Sequence, residues 1–174
     1  HSFKSTEMYG KDYGYRSGLN QSMVNHLHSK VKHLLNLVKI SSSDLILDIG
    51  SNDSTTLQAY PQGPTLVGMD PTGVKFNYPE HIQLISDFFS AKKFETTFCD
   101  KKAKIITSIS MFYDLEAPLE FVEDINQILA EDGIWVFEQS YMPTMLERTL
   151  YDTVCHEHLE YYRLKQIKWM LDQV

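Results

Sequence analysis

The chain has 174 residues, of which 43% are hydrophobic and 22% charged, and its formal net charge is −7. This composition is typical of one globular domain, and the absence of a long Lys/Arg cluster argues against a nucleic-acid partner. No apolar run reaches the ~20 residues of a membrane span, and two cysteines are too few for a disulfide scaffold. We therefore expect a cytoplasmic protein that binds neither nucleic acid nor membrane.

Helical and strand patterns alternate along the chain. Apolar positions at three- and four-residue steps favour helices, whereas short apolar runs rich in strand formers favour buried parallel strands. Gly133 is expected to be the C-cap of a helix that starts near Ala117. In chain order, the predicted elements are a helix over 20–39, a strand over 45–50, a helical segment over 54–60, strands over 66–70, 82–87 and 104–110, a helix over 117–132, a strand over 134–138 and a helical stretch over 165–174.

This order of elements predicts an α/β fold, a doubly wound, Rossmann-like and mostly parallel sheet with helices on both faces. In such sheets ligands bind at the carboxyl ends of the strands, where the strand order reverses. We therefore expect the chemistry in the loops that follow Ile49, Met69, Asp87 and Ser110.

The loop after the first strand is the first candidate for cofactor binding. It reads Asp48-Ile-Gly50-Ser-Asn52, and a glycine there lets the backbone turn sharply beside a ligand. An ordinary turn is the alternative. Asp70 ends the second strand, where a carboxylate accepts ribose hydroxyls. The loop lacks the G-x-G-x-x-G spacing of pyrophosphate sites, and its acidic character suits a cofactor with a cationic sulfonium and an amino group.

Two later loops extend the predicted cofactor site. Asp87 would accept from an adenine amino group and Phe88 would face the ring, although Phe88 and Phe89 are equally well explained as core residues. Ser110 and the four residues after it are expected to line the floor of the reaction site. For Tyr113, plain packing is an equal alternative.

Several of these segments resemble one known family. Together they resemble the class I S-adenosylmethionine-dependent methyltransferases and, within that class, the sugar C-methyltransferases that act on nucleotide-linked keto-sugars. The resemblance covers nearly the whole chain, and it implies S-adenosylmethionine as the cofactor and a nucleotide-linked sugar as the small-molecule substrate. It rests on residues 48–53, 68–71, 87–89, 136–138 and above all 151–162, Tyr-Asp-Thr-Val-Cys-His-Glu-His-Leu-Glu-Tyr-Tyr.

In that family an N-terminal, tyrosine-bearing segment closes over the cofactor. Residues 9–17 look like this segment, with Tyr15 and Arg16 as the expected cofactor contacts, and a frayed terminus is the alternative. The resemblance implies a lid over residues 1–19 and an S-adenosylmethionine-binding domain over 20–174. Family members also carry a zinc-binding N-terminal domain, a C-terminal sugar-binding domain and two further strands, so we expect this chain to be a truncated core.

Two positions depart from the family pattern. Ser54 stands where a glycine is usual, which puts cofactor affinity in doubt, although a serine also caps helices. Cys155 stands where the family often carries a tyrosine proposed to help at the active site. Another hydrogen-bond donor is then needed, and the sequence offers three nearby tyrosines, Tyr151, Tyr161 and Tyr162.

His156-Glu157-His158 is the candidate catalytic segment, and a metal site, a general base or a polar turn would each explain it. The two histidines are two residues apart, unlike the H-E-x-x-H pattern that places both on one helix face, so no metal is predicted. A histidine oriented by a carboxylate suits a general base near neutral pH. The preferred interpretation is His158 as the base with Glu157 beside it.

The function implied by the resemblance is proton removal next to a ketone by His158, followed by attack of the enolate carbon on the sulfonium methyl group. Two alternatives stay open. One is methyl transfer to oxygen or nitrogen of another small molecule, with His158 deprotonating a hydroxyl. The other is a non-catalytic cofactor-binding module in which the His-Glu-His turn only stabilises the fold.

Overall fold

A computed structural model of the protein describes residues 5–9 and 13–174. Within these ranges helices and strands alternate, joined by short 3-10 helices at Ser17–Leu19, Leu57–Ala59, Gly73–Lys75 and Phe112–Asp114. The longer elements are α1 (Ser5–Met8), α2 (Gln21–Leu37), β1 (Leu45–Ile49), β2 (Thr65–Met69), β3 (Ile82–Ile85), α3 (Ala91–Phe98), β4 (Ala103–Ile109), α4 (Pro118–Ile128), β5 (Leu129–Glu138), α5 (Met142–Arg148) and α6 (Leu164–Leu171).

The strands form a parallel sheet in the order β3-β2-β1-β4-β5. The chain moves outward from β1 to β3 and then returns to the other side of β1, so the order reverses between β1 and β4. All five residues of β1 are buried because helices cover both faces of the sheet. The predicted doubly wound α/β fold is confirmed.

Alternate residues of β1 enter two different cores, because successive side chains of a strand point to opposite faces. Leu45, Leu47 and Ile49 pack in the cluster that also holds residues of α3, α4 and α6. Ile46 packs in the second cluster with residues of α2. None of the helices within residues 5–9 and 13–174 is long and apolar enough to cross a membrane.

The register of the strands brings three loops to one edge of the sheet. Ile49 at the end of β1 lies opposite Met69 of β2 and Ser108 of β4. Met69 in turn lies opposite Ile85, the last residue of β3. The loops that begin at Gly50, Asp70 and Ser110 therefore start side by side.

The β4–β5 edge is filled with aromatic rings. The Trp135 indole N–H donates a hydrogen bond to Ser108 Oγ at 2.9 Å, from β5 to β4. Its ring packs against Phe112, Phe121 and Phe137, with ring centroids 4.7 to 6.0 Å apart. This cluster joins the sheet to α4 directly beneath the loop that follows β4.

The predicted glycine cap at Gly133 is wrong. The helix ends at Ile128, and its C-cap Leu129 already has extended backbone angles, φ −71° and ψ 137°. Gly133 lies inside β5, where the pairing with β4 shifts register, and a Cβ on it would lie 3.0 Å from the Ala103 carbonyl oxygen. The glycine permits close backbone approach at this irregularity rather than a helix end, because pairing of Leu129 with Ala103 starts the strand early.

The predicted helical segment over 54–60 is only a 3-10 turn, Leu57–Ala59. Asn52 and Ser54 have left-handed backbone angles, φ 49° and 64°, which a regular helix cannot contain. The chain therefore leaves β1 through a compact series of turns. The predicted helix over 20–39 is observed as α2, with the Asn20 side chain accepting from Ser22 N–H as its N-cap.

Candidate active site

A cavity of about 750 Å³ opens at the edge of the sheet where the strand order reverses. Its walls come from the N-terminal segment, the loops after β1, β2, β3 and β4, and helices α2 and α4. No Lys, Arg or His lines it within the part of the chain that the structure describes. Its carboxyl groups belong to Asp48, Asp70, Asp114, Glu116, Glu120 and Asp124. The cavity thus favours a cofactor that carries positive charge over one that would place a pyrophosphate against these carboxyl groups.

The loop after β1 needs its glycine. Gly50 lines the cavity with φ +71°, a left-handed conformation that costs other residues about 1–2 kcal/mol. Its N–H donates to the Met69 carbonyl at 2.9 Å and so binds the loop to β2. Ser54 is fully buried and also has a positive φ, a backbone conformation that glycine adopts more readily. Its Oγ accepts from Gln58 Nε2 at 3.1 Å.

Asp70 ties two loops together at the edge of the cavity. Its Oδ2 accepts the Asn52 N–H at 2.8 Å, and its Oδ1 accepts both the N–H and the hydroxyl of Thr72 at 2.6 Å. A carboxylate offers about four acceptor positions, so these bonds leave about one for a ligand hydroxyl. The cavity position and the free acceptor suit the predicted ribose contact.

Asp48 is a buried acid in the same wall. Its Oδ1 accepts from the Thr107 hydroxyl at 2.5 Å, and 3% of the residue is exposed. Burial raises the pKa of this carboxyl to about 7; hydrogen bonds from Thr107 and Thr56 oppose the shift, and the nearby Asp70 adds to it. A positive charge bound in the cavity would favour the ionised form of Asp48.

Of the two residues predicted to contact adenine, Phe88 and Asp87, the described cavity lining includes only one. Phe88 lines the cavity, but Asp87 is absent from its described lining. The Asp87 carboxylate instead pairs with Lys93 Nζ at 2.7 Å, and this hydrogen bond, followed by the one from the Phe88 N–H, lowers its pKa. Ser110 lines the cavity with φ 54°. Lys93, four residues outside the predicted motif, is the partner that the sequence pattern did not indicate.

The Asn52 side chain holds the N-terminal segment to the loop after β1. Its Oδ1 accepts the Ser17 N–H at 2.9 Å, and its Nδ2 donates to the Tyr15 carbonyl at 3.0 Å. Tyr15 and Asn52, which the sequence analysis proposes as cofactor contacts, both line the cavity. The Asn52 amide groups, however, face this segment, so its contribution is to position Tyr15.

Asp53 also binds the N-terminal segment to the loop after β1, and the sequence analysis did not predict this role. Its Oδ2 accepts from Arg16 Nε and from the Gly18 N–H, both at 3.0 Å. Burial alone would raise the pKa of Asp53, but hydrogen bonds from Thr55, Arg16 and Gly18 hold it below the ordinary value. The Arg16 side chain lies against Asp53 and over the Phe76 ring, outside the described cavity lining.

The His-Glu-His segment lies beside the described cavity lining and not in it. The His158 ring packs on the Tyr113 ring with centroids 4.1 Å apart, and Tyr113 does line the cavity. His158 Nδ1 lies 2.6 Å from the Thr153 carbonyl oxygen. Since a carbonyl only accepts, Nδ1 carries the proton and Nε2 of the neutral ring is left as the acceptor.

The other two residues of this segment are exposed. The Cys155 thiol hydrogen-bonds to Glu157, and this bond is the main reason why the pKa of Glu157 is lowered. His156 adds a smaller electrostatic effect of the same sign. Among the described residues, no group of three His, Cys, Asp or Glu side chains is placed to hold a metal ion.

A second acid, Asp114, was not predicted as a site residue in its own right. Its Oδ2 accepts the Tyr9 hydroxyl at 2.7 Å, and both residues line the cavity. Burial raises the pKa of the Asp114 carboxyl to about 7, with the Tyr9 hydrogen bond opposing and the charge of Glu157 adding to the shift. Tyr9 lies 105 residues away in sequence, so no local pattern could reveal the pair.

Comparison with known families identifies this architecture. A family model described as a methyltransferase domain matches residues 23–174. The chain belongs to the methyltransferase domain family. This membership confirms the prediction of a class I S-adenosylmethionine-dependent methyltransferase.

Individual relatives of this methyltransferase domain are more distant. The C-methyltransferase NovU of Streptomyces niveus is 26% identical over 158 residues, which are 87% of this chain and 37% of NovU. The chain thus spans little more than a third of that relative.

Solved structures share the fold at lower identity. The plantazolicin methyltransferase BpumL in complex with SAH has a TM-score of 0.61 and 18% identity, covering 84% of this chain and 61% of its own. The cyclopropane synthase MmaA2 of Mycobacterium tuberculosis has a TM-score of 0.61 and 14% identity, covering 98% of this chain and 67% of its own.

Proposed function

We propose that this methyltransferase domain binds S-adenosylmethionine in the cavity and methylates a small molecule, at a carbon beside the ketone of a nucleotide-linked sugar. The observation that carries the proposal is the cavity itself. It lies where the strand order reverses, and among the described residues it is lined by carboxyl groups and by no cationic side chain. The similarity to the C-methyltransferase NovU supports carbon as the methylated atom.

The residues present fit the cofactor. Asp70 has an acceptor position left for a ribose hydroxyl, and Phe88 offers an aromatic face. The left-handed turn at Gly50 keeps the cavity wall free of a side chain. Asp48 supplies a buried carboxyl in the cavity wall, which would complement a positive charge of the cofactor. When bound, S-adenosylmethionine supplies an electrophilic methyl group on a sulfonium.

His158 is the proposed base because its hydrogen bond to the Thr153 carbonyl leaves Nε2 as the acceptor nitrogen. The Thr153 carbonyl holds the proton on Nδ1, so Nε2 carries the lone pair that takes the proton from the carbon beside the ketone. The electron pair of the broken C–H bond forms the enolate, whose carbon then bonds to the methyl group. Bound S-adenosylmethionine would supply that methyl group, with the C–S electron pair leaving on sulfur, and His158 would later lose its proton to solvent.

The position of His158, packed on Tyr113 beside the cavity lining, favours methyl transfer to nitrogen as a second candidate reaction. Because none of the three His-Glu-His residues is part of the described cavity lining, an acceptor nitrogen that needs no strong base remains the second candidate. Product analysis separates the two, since the NMR signal of the transferred methyl group shows whether it is bonded to carbon or to nitrogen. S-adenosylmethionine with a labelled methyl group and a set of nucleoside-diphosphate keto-sugars is the assay.

The cofactor site is tested by calorimetric titration with S-adenosylhomocysteine. In Asp70→Ala we expect the Kd to rise roughly 10- to 100-fold, because hydrogen bonds to charged groups contribute about 1.5–3 kcal/mol. Asp172→Ala is the matched control, since this exposed carboxylate on the C-terminal side of α6 pairs with Lys168. Equal affinity in all three proteins would contradict the assignment, provided that thermal unfolding shows Asp70→Ala to be folded.

A further inference from the structure

A polar pair on the cavity wall has no part in the reaction described above. Asp114 ends the 3-10 helix that follows β4, and the Tyr9 hydroxyl donates to its Oδ2 at 2.7 Å. Asp114 Oδ1 is shielded from solvent and has no hydrogen-bond partner among the described residues. A carboxyl oxygen without a partner in a cavity wall is an incomplete site. In catalytic sites such contacts are often completed only when the substrate is bound.

Among the residues that the structure describes, the groups that face Asp114 come from three parts of the chain, and none of these groups is a cation. Tyr9 and Tyr13 approach from the N-terminal segment, Tyr113 is its neighbour in sequence, and Glu157 approaches from the loop between α5 and α6. Burial raises the pKa of the three phenols, so they are neutral near pH 7. Glu157 is anionic and disfavours a second negative charge.

These surroundings favour the neutral acid. The carboxyl pKa of about 7 means that roughly half of the Asp114 side chains carry a proton at neutral pH. Because Tyr9 donates to Oδ2, the acidic proton belongs on Oδ1, the oxygen without a partner. Rotation about χ2 is soft for aspartate, so a small adjustment turns Oδ1 toward a bound acceptor. A neutral carboxyl in an apolar site is an effective donor to a developing oxyanion.

The reaction needs such a donor. Proton removal by His158 places negative charge on the carbonyl oxygen of the acceptor, and no Lys, Arg or His lines the described cavity to stabilise it. Cys155 is a weak donor, and its thiol is already engaged with Glu157.

We propose that the neutral carboxyl of Asp114, held in place by Tyr9, donates a hydrogen bond to the acceptor's carbonyl oxygen and stabilises the enolate. This assignment rests on the proposed carbon methylation. No covalent bond to Asp114 forms or breaks. The carbon-bound proton goes to His158, the charge moves to the carbonyl oxygen, and it returns to carbon as the new C–CH₃ bond forms.

The pH dependence of kcat/KM separates a donor from a base at this position. In the wild-type chain, kcat/KM for methylation of a nucleoside-diphosphate keto-sugar should fall as pH rises above about 7, because the Asp114 proton is lost. Asp114→Asn keeps a donor that cannot ionise, so it should stay within about tenfold of wild type and lose this decline. Asp114→Ala should lose about 10²- to 10³-fold, the usual loss for one oxyanion donor.

The outcomes are distinct. An Asn variant as inactive as the Ala variant would overturn the assignment, because it would mean that Asp114 acts as a carboxylate. Ala and Asn variants both equal to wild type would overturn it as well. Absence of any C-methylated product from the wild-type chain, with S-adenosylhomocysteine binding intact, would instead overturn the proposed carbon methylation on which the assignment rests.

A measurement without turnover tests the same point. The ¹³C resonance of the Asp114 carboxyl, assigned by its loss in Asp114→Asn, should titrate near pH 7 in the presence of S-adenosylhomocysteine. Tyr9→Phe removes a bond that stabilises the anion and should move this titration to higher pH, whereas Glu157→Gln should move it to lower pH. Titration of Asp114 near the ordinary aspartate value of about 3.9 would overturn the proposal, since the group could not donate at neutral pH.

Discussion

The edge of the sheet that follows β1 and β2 differs from the His-Glu-His segment in how the fold holds its charged groups. Asp48, Asp53 and Asp70 are at most 6% exposed, and each accepts hydrogen bonds from its neighbours. His156 and Glu157 are exposed, and His158 is held through one carbonyl and one ring contact. Substitutions at the sheet edge should therefore change stability and binding together, whereas substitutions in the His-Glu-His segment should change turnover alone.

The largest expected effect is on turnover and comes from His158→Ala. Loss of a general base should lower kcat by about 10²- to 10⁴-fold, while the affinity for S-adenosylhomocysteine stays the same. His156→Ala, its exposed neighbour, is the matched control and should retain more of the activity. An unchanged kcat in the His158 variant would contradict the role of His158 as a base. It would then follow that the His-Glu-His segment has a structural role, like the residues of the sheet edge.

Asp48→Asn should change how stability depends on pH. The pKa of about 7 in the folded protein lies above the ordinary aspartate value of about 3.9, so the folded protein binds the proton more tightly and wild-type stability falls as pH rises from about 4 to about 7. The free energy of unfolding of the wild-type protein should decrease by on the order of 4 kcal/mol over this range, and that of the uncharged variant should not. Urea unfolding at pH 4, 6 and 8 measures the difference between the two proteins.

The control for that prediction is Asp132→Asn, because Asp132 is exposed and pairs with Lys104. It should show no growing advantage over wild type as pH rises. If Asp48→Asn behaves like the control, then Asp48 ionises inside the fold as readily as in the unfolded chain.

Asp53→Ala should release the N-terminal segment from the sheet edge. The variant loses the bonds from Arg16 and Gly18, so amide hydrogen exchange at Ser17 and Gly18 should speed up roughly 10- to 100-fold. Asp44→Ala is the control, since Asp44 accepts hydrogen bonds from Ser41 in the turn before β1. Equal protection in both variants would show that Asn52 alone holds the segment.

The smallest expected effect comes from Gly50→Ala. An added Cβ would lie 3.5 Å from Met111, an ordinary contact, so the penalty is the left-handed backbone alone. We expect a loss of about 1–2 kcal/mol in the free energy of unfolding. Gly14→Ala, where a Cβ meets no atom within 4 Å, should change stability much less. Chemical denaturation of both variants is the measurement.

Local patterns predicted the fold well because alternation and burial are local properties of the sequence. The five strands and the reversal of their order followed from short apolar runs separated by helical ones. The prediction of a helix C-cap at Gly133 was wrong because Asp-Gly after an apolar stripe is a usual helix end. Only the pairing of Leu129 with Ala103 shows that the strand has already begun.

The candidate site was predictable only where its residues follow a strand directly. Asp48, Gly50 and Asp70 lie on the cavity as expected. The Asp87 carboxylate pairs with Lys93, and the Arg16 guanidinium pairs with Asp53. The choice of these partners depends on side-chain geometry, which a local sequence pattern does not give. The pairing of Tyr9 with Asp114 joins distant parts of the chain. The catalytic role of His158 stays a prediction.

The aromatic cluster around Trp135 gives the protein a built-in optical reporter. Of the two tryptophans in the sequence, Trp169 is 55% exposed, whereas Trp135 is enclosed by rings and bonded to Ser108. Their fluorescence should therefore differ in wavelength and in quenching by iodide. In Trp169→Phe the remaining emission comes from the β4–β5 edge alone, so separation of these two strands would be followed without any attached dye.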